Sequence, residues 1–366
     1  MRRILVTGGA GFIGSNFIRF WIARHPEDRI TNLDKLTYAG NLENLKDMER
    51  FLQYKFVRGD ICDRDLVQTS LQAEKIDTVV HFAAESHVDR SILDPEDFIR
   101  TNVHGTFTLL EAARICWLAQ APPTVRNPRF LHVSTDEVYG SLVLDAPSFS
   151  ENAPYRPNSP YAASKVAADH LVRAYHHTYG LPAIITNCSN NYGPYQFPEK
   201  LIPLTIQQAM KGHPIPIYGV GANIRDWIHV EDHCRALEAA LEHGRVGETY
   251  NIGGGNQWRN VDLVERICDL LDEKVSVGAP RRSLIRFVQD RPGHDLRYAM
   301  DISKITRELG WRPAETIQTG IAKTIDWYLE QQNWVERVMS EEYQNYFSAW
   351  YASRLAGAHD MKSSKS

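Results

Sequence analysis

The sequence predicts an α/β chain: a doubly wound parallel sheet with a smaller mixed α/β lobe beyond it. Three observations predict it. Short apolar runs alternate with helical patterns through the first half, as strands and crossover helices do. A glycine-rich turn joins the first apolar run to the first helical stretch. The alternation then loosens after about Asn190, where proline and glycine become frequent, as in residues 191–198, 212–221 and 253–255.

Taken in order, residues 4–7 read as a buried strand and 12–24 as the helix behind it. Residues 29–34, 55–58 and 78–82 read as the second to fourth strands, and 98–118 as one long amphipathic helix. A fifth strand over 130–134, a helix over 161–179 and a sixth strand over 183–187 follow. We place residues 1–190 in the sheet unit, with segments near 222–253 returning to it, and 191–335 in the smaller lobe. That lobe is expected above the carboxyl ends of the strands, where open α/β sheets place their ligands. Residues 336–366 form a terminal extension and tail. Trp334, Tyr343, Tyr346, Phe347, Trp350 and Tyr351 are too many aromatics for a free linker. They predict a helix packed on the body or on a second subunit. The small, polar tail from Ala356 is predicted to be disordered.

Bulk composition excludes several functions. A chain of 366 residues, 43% hydrophobic and 23% charged, suits two lobes sharing a cleft. A net charge of −4 offers no global positive field to nucleic acid or an anionic membrane, so an anionic substrate needs its own local arginines. The five cysteines are odd in number and lack a CxxC pair, which argues against a disulfide framework or a metal site. The first apolar stretch is broken by glycines and no run reaches membrane-spanning length. A cytoplasmic protein is expected.

The first strand runs into Gly8-Gly9-Ala10-Gly11-Phe12-Ile13-Gly14. Gly9, Gly11 and Gly14 fit G-x-G-x-x-G, and Gly8, Gly11 and Gly14 a wider spacing. Such glycines make a tight turn, admit a pyrophosphate to the backbone amides and let the helix pack close to the sheet. The helix N-terminus then faces the phosphates with its partial positive charge. Asp34 ends the next strand, where a carboxylate accepts from ribose hydroxyls and repels a 2′-phosphate. The turn therefore reads as a Rossmann-type site for NAD rather than NADP. Lys35 follows at once, but adjacent side chains on a strand point opposite ways. Asp60 and Ile61 fit the adenine by a hydrogen bond and a contact, although Asp60 reads equally as a loop carboxylate. Small residues after Phe82, beginning Ala83-Ala84 and reaching Ser86, let a cofactor cross the strand ends.

Ser159 suits a helix N-cap and Pro160 the first helical position. Tyr161 and Lys165 then share one face at i and i+4. A phenol with a pKa near ~10 is a poor base, and a neighbouring ammonium favours its phenolate. The same pair occurs on plain surfaces, and the upstream dinucleotide turn decides for chemistry. Thr135, at the fifth strand's end, can hydrogen-bond the oxygen that Tyr161 deprotonates. Asp136 and Glu137 follow. Paired carboxylates in a dry cleft have their pKa values pushed apart, one serving as acid and the other as base. A simple dehydrogenase needs neither, and an elimination needs both.

These residues resemble the extended short-chain dehydrogenase/reductase family and, within it, the branch of dTDP-glucose 4,6-dehydratases. The matching stretches include TGGAGFIGSN (7–16), LDKLTYAGNLENL (33–45), AAESHVDRSI (83–92), HVSTDEVYG (132–140), SPYAASK (159–165), TNCSNNYGPYQFPEKLIPL (186–204), GANIRDWIHVEDH (221–233) and DRPGHDLRYAMD (290–301). The resemblance implies that Tyr161 takes the C4 hydroxyl proton as hydride leaves C4. Glu137 then removes the C5 proton, Asp136 protonates the departing C6 hydroxyl, and hydride returns to C6. It also implies cofactor contacts from Phe12, Ile13, Lys35, Thr37, Thr101 and Asn191. Ser86, Thr135 and Asn190 would contact the sugar, while Lys200, Leu201, Pro216 and Tyr218 would cradle the nucleotide. Arg225, Asn260, Arg291 and His294 would close over diphosphate and base, His294 reading equally as a packed histidine. A homodimer through a helix bundle that includes residues 98–118 is implied as well. Three rivals remain at this stage: the same chemistry on UDP-glucose, a 4-epimerase, and a cofactor-binding regulator with a dead site. Asp136-Glu137 argues against the epimerase, and the intact Thr135–Tyr161–Lys165 set against the regulator.

Overall fold

The computed structural model describes residues 1–119, 125–275, 278–339, 351, 354 and 355. Strand β1 (Arg3–Thr7) alternates its buried side chains, Ile4 and Val6 on one face and Leu5 on the other. That pattern belongs to a strand covered on both sides. Helix α1 (Phe12–Arg24) leads to β2 (Arg29–Asp34), and β3 (Tyr54–Arg58) lies outside β2. Helix α2 (Arg64–Ala73) carries the chain to β4 (Thr78–His81), on the opposite side of β1. Helices α3 (Val88–Leu93), α4 (Glu96–Phe98) and α5 (Thr106–Trp117) precede β5 (Arg129–Thr135). Helix α6 (Pro160–Tyr179) and β6 (Ala183–Cys188) follow.

The expected single helix over 98–118 is interrupted. A π-helical turn, Ile99–Gly105, separates α4 from α5. Asn102 explains it. Its side chain accepts from the Glu85 amide at 2.8 Å and donates to the Glu85 carbonyl at 3.0 Å and to Ser164 Oγ at 2.8 Å. Such a widened turn re-aims a side chain within a helix, and apolar periodicity carries no trace of it.

The rest of the chain runs β7 (Asn190–Tyr192), α7 (Leu201–Lys211), β8 (Ile215–Tyr218), β9 (Ile224–His229), α8 (Val230–His243), β10 (Thr249–Ile252), β11 (Gln257–Arg259), α9 (Asn260–Lys274), β12 (Ile285–Val288), α10 (Ser303–Leu309), α11 (Ile317–Glu330) and α12 (Gln332–Val338). Strand β10 pairs with β6, so the large parallel sheet has the order β10-β6-β5-β4-β1-β2-β3. The order reverses direction between β1 and β4, and such a switch opens a crevice at the carboxyl ends of the strands. Two small sheets, β11-β9-β7 and β12-β8, stand beyond that crevice.

One face of the large sheet buries Phe17, Trp21 and Leu237 from α1 and α8. The other buries Val67, Leu109 and Val172 from α2, α5 and α6. A separate core holds Ile202, Leu263, Ile321 and Tyr328 together. Trp334 of α12 joins that core, and its indole N–H donates to Asn44 Oδ1 at 2.9 Å. The beginning of the aromatic-rich extension is thus a packed helix. Tyr343, Tyr346, Phe347, Trp350 and the tail from Ala356 lie outside the described residues. Among the described residues, no helix is long and apolar enough to cross a membrane. All five cysteines are free.

Candidate active site

One cavity of ≈ 430 Å³ occupies the crevice, a volume suited to a small molecule. Its wall holds every site residue named from the sequence except Gly9. Gly8, Gly11, Phe12, Ile13, Gly14, Asp34, Lys35, Thr37, Asp60 and Ile61 come from the first two βα units. Phe82, Ala83, Ala84, Ser86, Thr101, Thr135, Asp136, Glu137, Tyr161, Lys165, Asn190 and Asn191 follow the central strands. Lys200, Leu201, Pro216, Tyr218, Arg225, Asn260, Arg291 and His294 reach in from beyond.

Of the two glycine spacings, the wider one faces the cavity. Gly9 instead backs onto the sheet, where an added Cβ would lie 2.3 Å from Asn32 Oδ1. Gly8 has φ +71° and a Cβ there would lie 2.6 Å from the Ala83 nitrogen. At Gly14 a Cβ would lie 2.4 Å from the Gly8 carbonyl oxygen. Only glycine therefore lets α1 pack this close to the turn. Gly11 is the N-cap of α1 and supplies no side-chain cap, so the first-turn amides remain for an anionic ligand. The cradle fits a dinucleotide pyrophosphate.

Asp34 is buried at the end of β2. Its oxygens accept from the Leu36 amide at 2.8 Å and the Ala10 amide at 2.9 Å. Burial pushes this carboxyl up, and the two amides draw it part of the way back. Lys35 reaches Asp60 at 3.0 Å, and Arg100 reaches the same carboxylate at 3.2 Å. The lysine beside Asp34 is therefore neutralised by Asp60. That arrangement fits a ribose diol and opposes a 2′-phosphate.

The Ser159 hydroxyl accepts from the Ala162 amide at 3.1 Å and starts α6. Tyr161 and Lys165 consequently share a buried face. Lys165 Nζ donates to the Val133 carbonyl at 2.9 Å. The sequence led us to expect its ammonium to favour the Tyr161 phenolate. The structure shows the opposite balance. Burial pushes the phenol well above its ordinary value, with the charge of Glu137 adding to the rise, and a hydrogen bond from Thr135 works against it. Lys165 is itself drawn down by burial.

Thr135 ends β5, and its hydroxyl accepts from the Glu137 amide at 3.3 Å. This opens a 3₁₀ turn over Asp136–Tyr139 and presents both carboxylates beside Tyr161. Asp136 is 2% exposed, and its Oδ2 has no hydrogen-bond partner among the described residues. Burial raises it well above the ordinary carboxylate range, and the charge of Glu137 raises it further. Glu137 is also raised by burial, but Arg291, Arg225 and Lys200 draw it back. Arg291 and Lys200 thus favour the ionised form of Glu137, and the charge of Glu137 favours the protonated form of Asp136.

Those cations face the carboxylates from across the cavity. Arg225 donates to the Ile224 and Asp295 carbonyls at 2.8 and 2.9 Å and lies 4.3 Å from the Tyr298 ring centroid. Arg291 donates to Asp89 at 3.0 Å, and Lys200 to the Ser86 carbonyl at 3.0 Å. Asn190 and Asn260 each bury a side-chain oxygen without a hydrogen-bond partner among the described residues. Two guanidiniums and unpaired amide oxygens fit a sugar diphosphate. His294 lies 2.6 Å from Asp290, and burial pushes it down to about 4, so it is neutral.

Sequence reasoning missed Glu85, His87, Asp89, Gln196 and Glu199 on the same wall. Glu199 is pushed up to about 7 by burial. None sits in a spacing that marks it. Tyr351 also lines the cavity, and the aromatic bias of the extension was its only trace.

Sheet order, glycine turn and the Tyr161–Lys165 pair define an extended short-chain dehydrogenase/reductase. The chain belongs to the family described as GDP-mannose 4,6 dehydratase, whose model matches residues 5–324. It is 57% identical over 343 residues to a dTDP-glucose 4,6-dehydratase of Xanthomonas campestris pv. campestris, covering 93% of this chain and 97% of that protein. The crystal structure of DesIV, a dTDP-glucose 4,6-dehydratase from Streptomyces venezuelae solved with NAD bound, has a TM-score of 0.84 and 49% identity, over 92% of this chain and 99% of that one. A UDP-glucuronic acid 4-epimerase from Bacillus cereus is more distant, at 29% identity and a TM-score of 0.79, over 90% of this chain and 99% of that one.

Proposed function

We propose that this chain is an enzyme that converts dTDP-glucose to dTDP-4-keto-6-deoxyglucose, in deoxysugar biosynthesis, with NAD as a cofactor that is regenerated in each turnover. The observation that carries the proposal is the placement of Asp136 and Glu137 beside Tyr161 on one cavity wall, with Arg291, Arg225 and Lys200 drawing Glu137 towards its ionised form and the charge of Glu137 holding the proton on Asp136.

The Gly8–Gly14 turn holds the pyrophosphate, Asp34 the adenosine ribose, and Tyr161 and Lys165 the nicotinamide ribose. NAD bound there would supply a hydride acceptor for C4 and a donor for C6, and its cationic ring would favour the Tyr161 phenolate. Tyr161 removes the C4 hydroxyl proton, with Thr135 hydrogen-bonded to it. The ketone at C4 acidifies C5–H. Glu137, the ionised carboxylate, takes the C5 proton. Asp136, which holds its proton, gives it to the C6 hydroxyl as water leaves. Glu137 then reprotonates C5, with a proton that has exchanged with solvent. Arg225, Arg291 and Lys200 hold the diphosphate. A 4-epimerase has no C5 proton to remove and no use for this pair.

In this proposal the sheet unit of residues 1–190, with the 222–253 segments, binds the cofactor, and residues 191–335 bind the sugar nucleotide. A homodimer in the cytoplasm completes it. Its supports are the exposed apolar side chains Ile99, Phe107 and Leu118 along one segment and the five free cysteines. The test is to supply purified protein with dTDP-glucose and NAD, and in parallel with UDP-glucose. A 4-keto product without net reduced cofactor is expected, with dTDP-glucose preferred. Stoichiometric reduced cofactor would sink the dehydratase assignment.

A further inference from the structure

Helix α12 carries an indole to the dinucleotide turn from the far end of the chain, and no step above uses it. Trp334 packs in the core that holds Ile202 and Leu263, with its ring edge-on to Trp327 at 5.0 Å and to Tyr195 at 5.9 Å. Its N–H leaves that core and donates to Asn44 Oδ1 at 2.9 Å, across 290 positions of chain. Both residues are 3% exposed. Asn44 lies in a 3₁₀ segment, Leu42–Arg50, whose Leu45 and Met48 share a core with Phe17 and Trp21 of α1. Asn44 Nδ2 donates in turn to the Ala10 carbonyl at 2.9 Å, which also accepts from the Asn41 amide at 3.0 Å. Ala10 stands inside the glycine turn, between Gly9 and Gly11.

The indole decides which way Asn44 points. A carboxamide accepts at one end and donates at the other, whereas an indole N–H only donates. Trp334 therefore fixes Asn44 with its oxygen towards α12 and its NH₂ towards the turn. Turned over, the amide would set N–H against N–H at one end and oxygen against oxygen at the other. The Ala10 carbonyl belongs to the peptide that leads into Gly11, the N-cap of α1. Its direction sets that of the first-turn amides that face the pyrophosphate. Arg19 of α1 braces the same place, donating to the Asn44 carbonyl at 3.1 and 2.6 Å while lying 4.6 Å from the Tyr195 ring centroid. Arg337 of α12 reaches Glu43 at 2.7 Å, but that arginine is half exposed, and such a pair adds little. The buried link through Trp334 is the stronger tie.

We propose that Trp334 is a positioning residue for the dinucleotide: through Asn44 it sets the peptide between Ala10 and Gly11, so that α12 holds the glycine turn in its cofactor-binding shape. This rests on the assignment of the Gly8–Gly14 turn as the NAD site. Retention of the cofactor then depends on a helix made more than 300 positions after the turn that binds it. A tryptophan that merely fills its core would act differently when replaced. That core carries Ile202, Ile215 and Ile217, next in the chain to Leu201, Pro216 and Tyr218 of the cavity wall. Loosening it would weaken a bound nucleotide sugar and leave the glycine turn alone.

The experiment loads the full chain with NAD and follows its release during a chase with excess radiolabelled NAD, for wild type, Trp334→Phe, Asn44→Ala and the double variant. The dissociation constant of dTDP is measured by calorimetry on the same proteins. Trp334→Phe keeps a ring in the core and removes the N–H. Release of NAD is expected to quicken about tenfold, the size of one buried hydrogen bond, with dTDP affinity within about twofold of wild type. Asn44→Ala is expected to quicken release likewise, and Trp334→Phe to add nothing in that background, because the two residues act through one link. Trp334→Met fills the same space without a donor and reads the same rate should the phenylalanine variant not fold. Unchanged release in Trp334→Phe or Trp334→Met, independent effects that multiply in the double variant, or an equal weakening of dTDP overturns the role of Trp334. If wild type retains NAD while release ignores Trp334, only this inference fails. If wild type holds no NAD, the cofactor-site assignment fails and takes the inference with it.

Discussion

Replacing Glu137 with glutamine keeps the shape of the side chain and removes its basicity. Loss of a positioned base costs about 10²–10⁴ in rate, which is roughly 3–6 kcal/mol at about 1.4 kcal/mol per decade. The structure adds a second effect. The charge of Glu137 is, after burial, the largest cause of the raised Asp136 carboxyl, and a neutral amide withdraws it. The wild-type reaction needs Glu137 ionised and Asp136 protonated. Its rate should therefore rise as pH passes upward through the Glu137 value and fall beyond the Asp136 value. In Glu137→Gln the rising limb should vanish, and the falling limb of the residual turnover should move to lower pH. Stopped-flow absorbance of the reduced nicotinamide, with mass spectrometry of deuterium at C5 in heavy water, separates the steps. C4 oxidation should persist, reduced cofactor should accumulate, and deuterium should not enter C5. Turnover within about tenfold of wild type, or intact exchange at C5, would refute the assignment.

Tyr161→Phe removes the only phenolic proton carrier in contact with Thr135 that the mechanism uses. Single-turnover C4 oxidation should slow by about 10²–10⁴, and a wild-type rate would contradict its role. Gly14→Ala places a Cβ 2.4 Å from the Gly8 carbonyl oxygen, which is backbone and cannot swing away. That protein should carry no dinucleotide, measured as NAD released on denaturation, and a full complement would argue against the cradle. Arg291→Ala leaves the Asp89 carboxylate, 3% exposed, without its guanidinium. Breaking such a pair costs about 3–5 kcal/mol. The urea midpoint should fall and the KM for dTDP-glucose should rise, and an unchanged midpoint would show that Asp89 is satisfied without it.

The elements that came through from the sequence were those with local causes. Strand β2 and helix α1 begin and end where apolar runs and the glycine turn place them. Helix α6 starts where Ser159 and Pro160 dictate. The π-helical turn at Ile99–Gly105 did not come through, because its cause is Asn102 reaching Glu85 and Ser164 across the fold. The site divides the same way. Gly14, Asp34 and Tyr161 stand in spacings whose geometry is local. Asp89 meets Arg291 across 202 positions of chain, a pairing that leaves no periodic trace. The Tyr161–Lys165 spacing announced a nearby positive charge but not the dryness that outweighs it. Tyr351 was visible only as part of an aromatic bias, with nothing to say which ring turns inward.

Strand β10 is the last strand of the large sheet to leave the ribosome, and it occupies the edge beside β6. Until residues 249–252 are made, β6 presents a row of unpaired amides and carbonyls, with Ile184 and Ile185 stripped of part of their cover. An edge of that kind recruits other chains. The first 190 residues thus do not constitute a portable cofactor-binding module. A fragment ending there should aggregate, and translation arrested before Thr249 should yield insoluble product. Completion of the older half of the molecule waits on synthesis of the younger, so the two halves are coupled in time as well as in space.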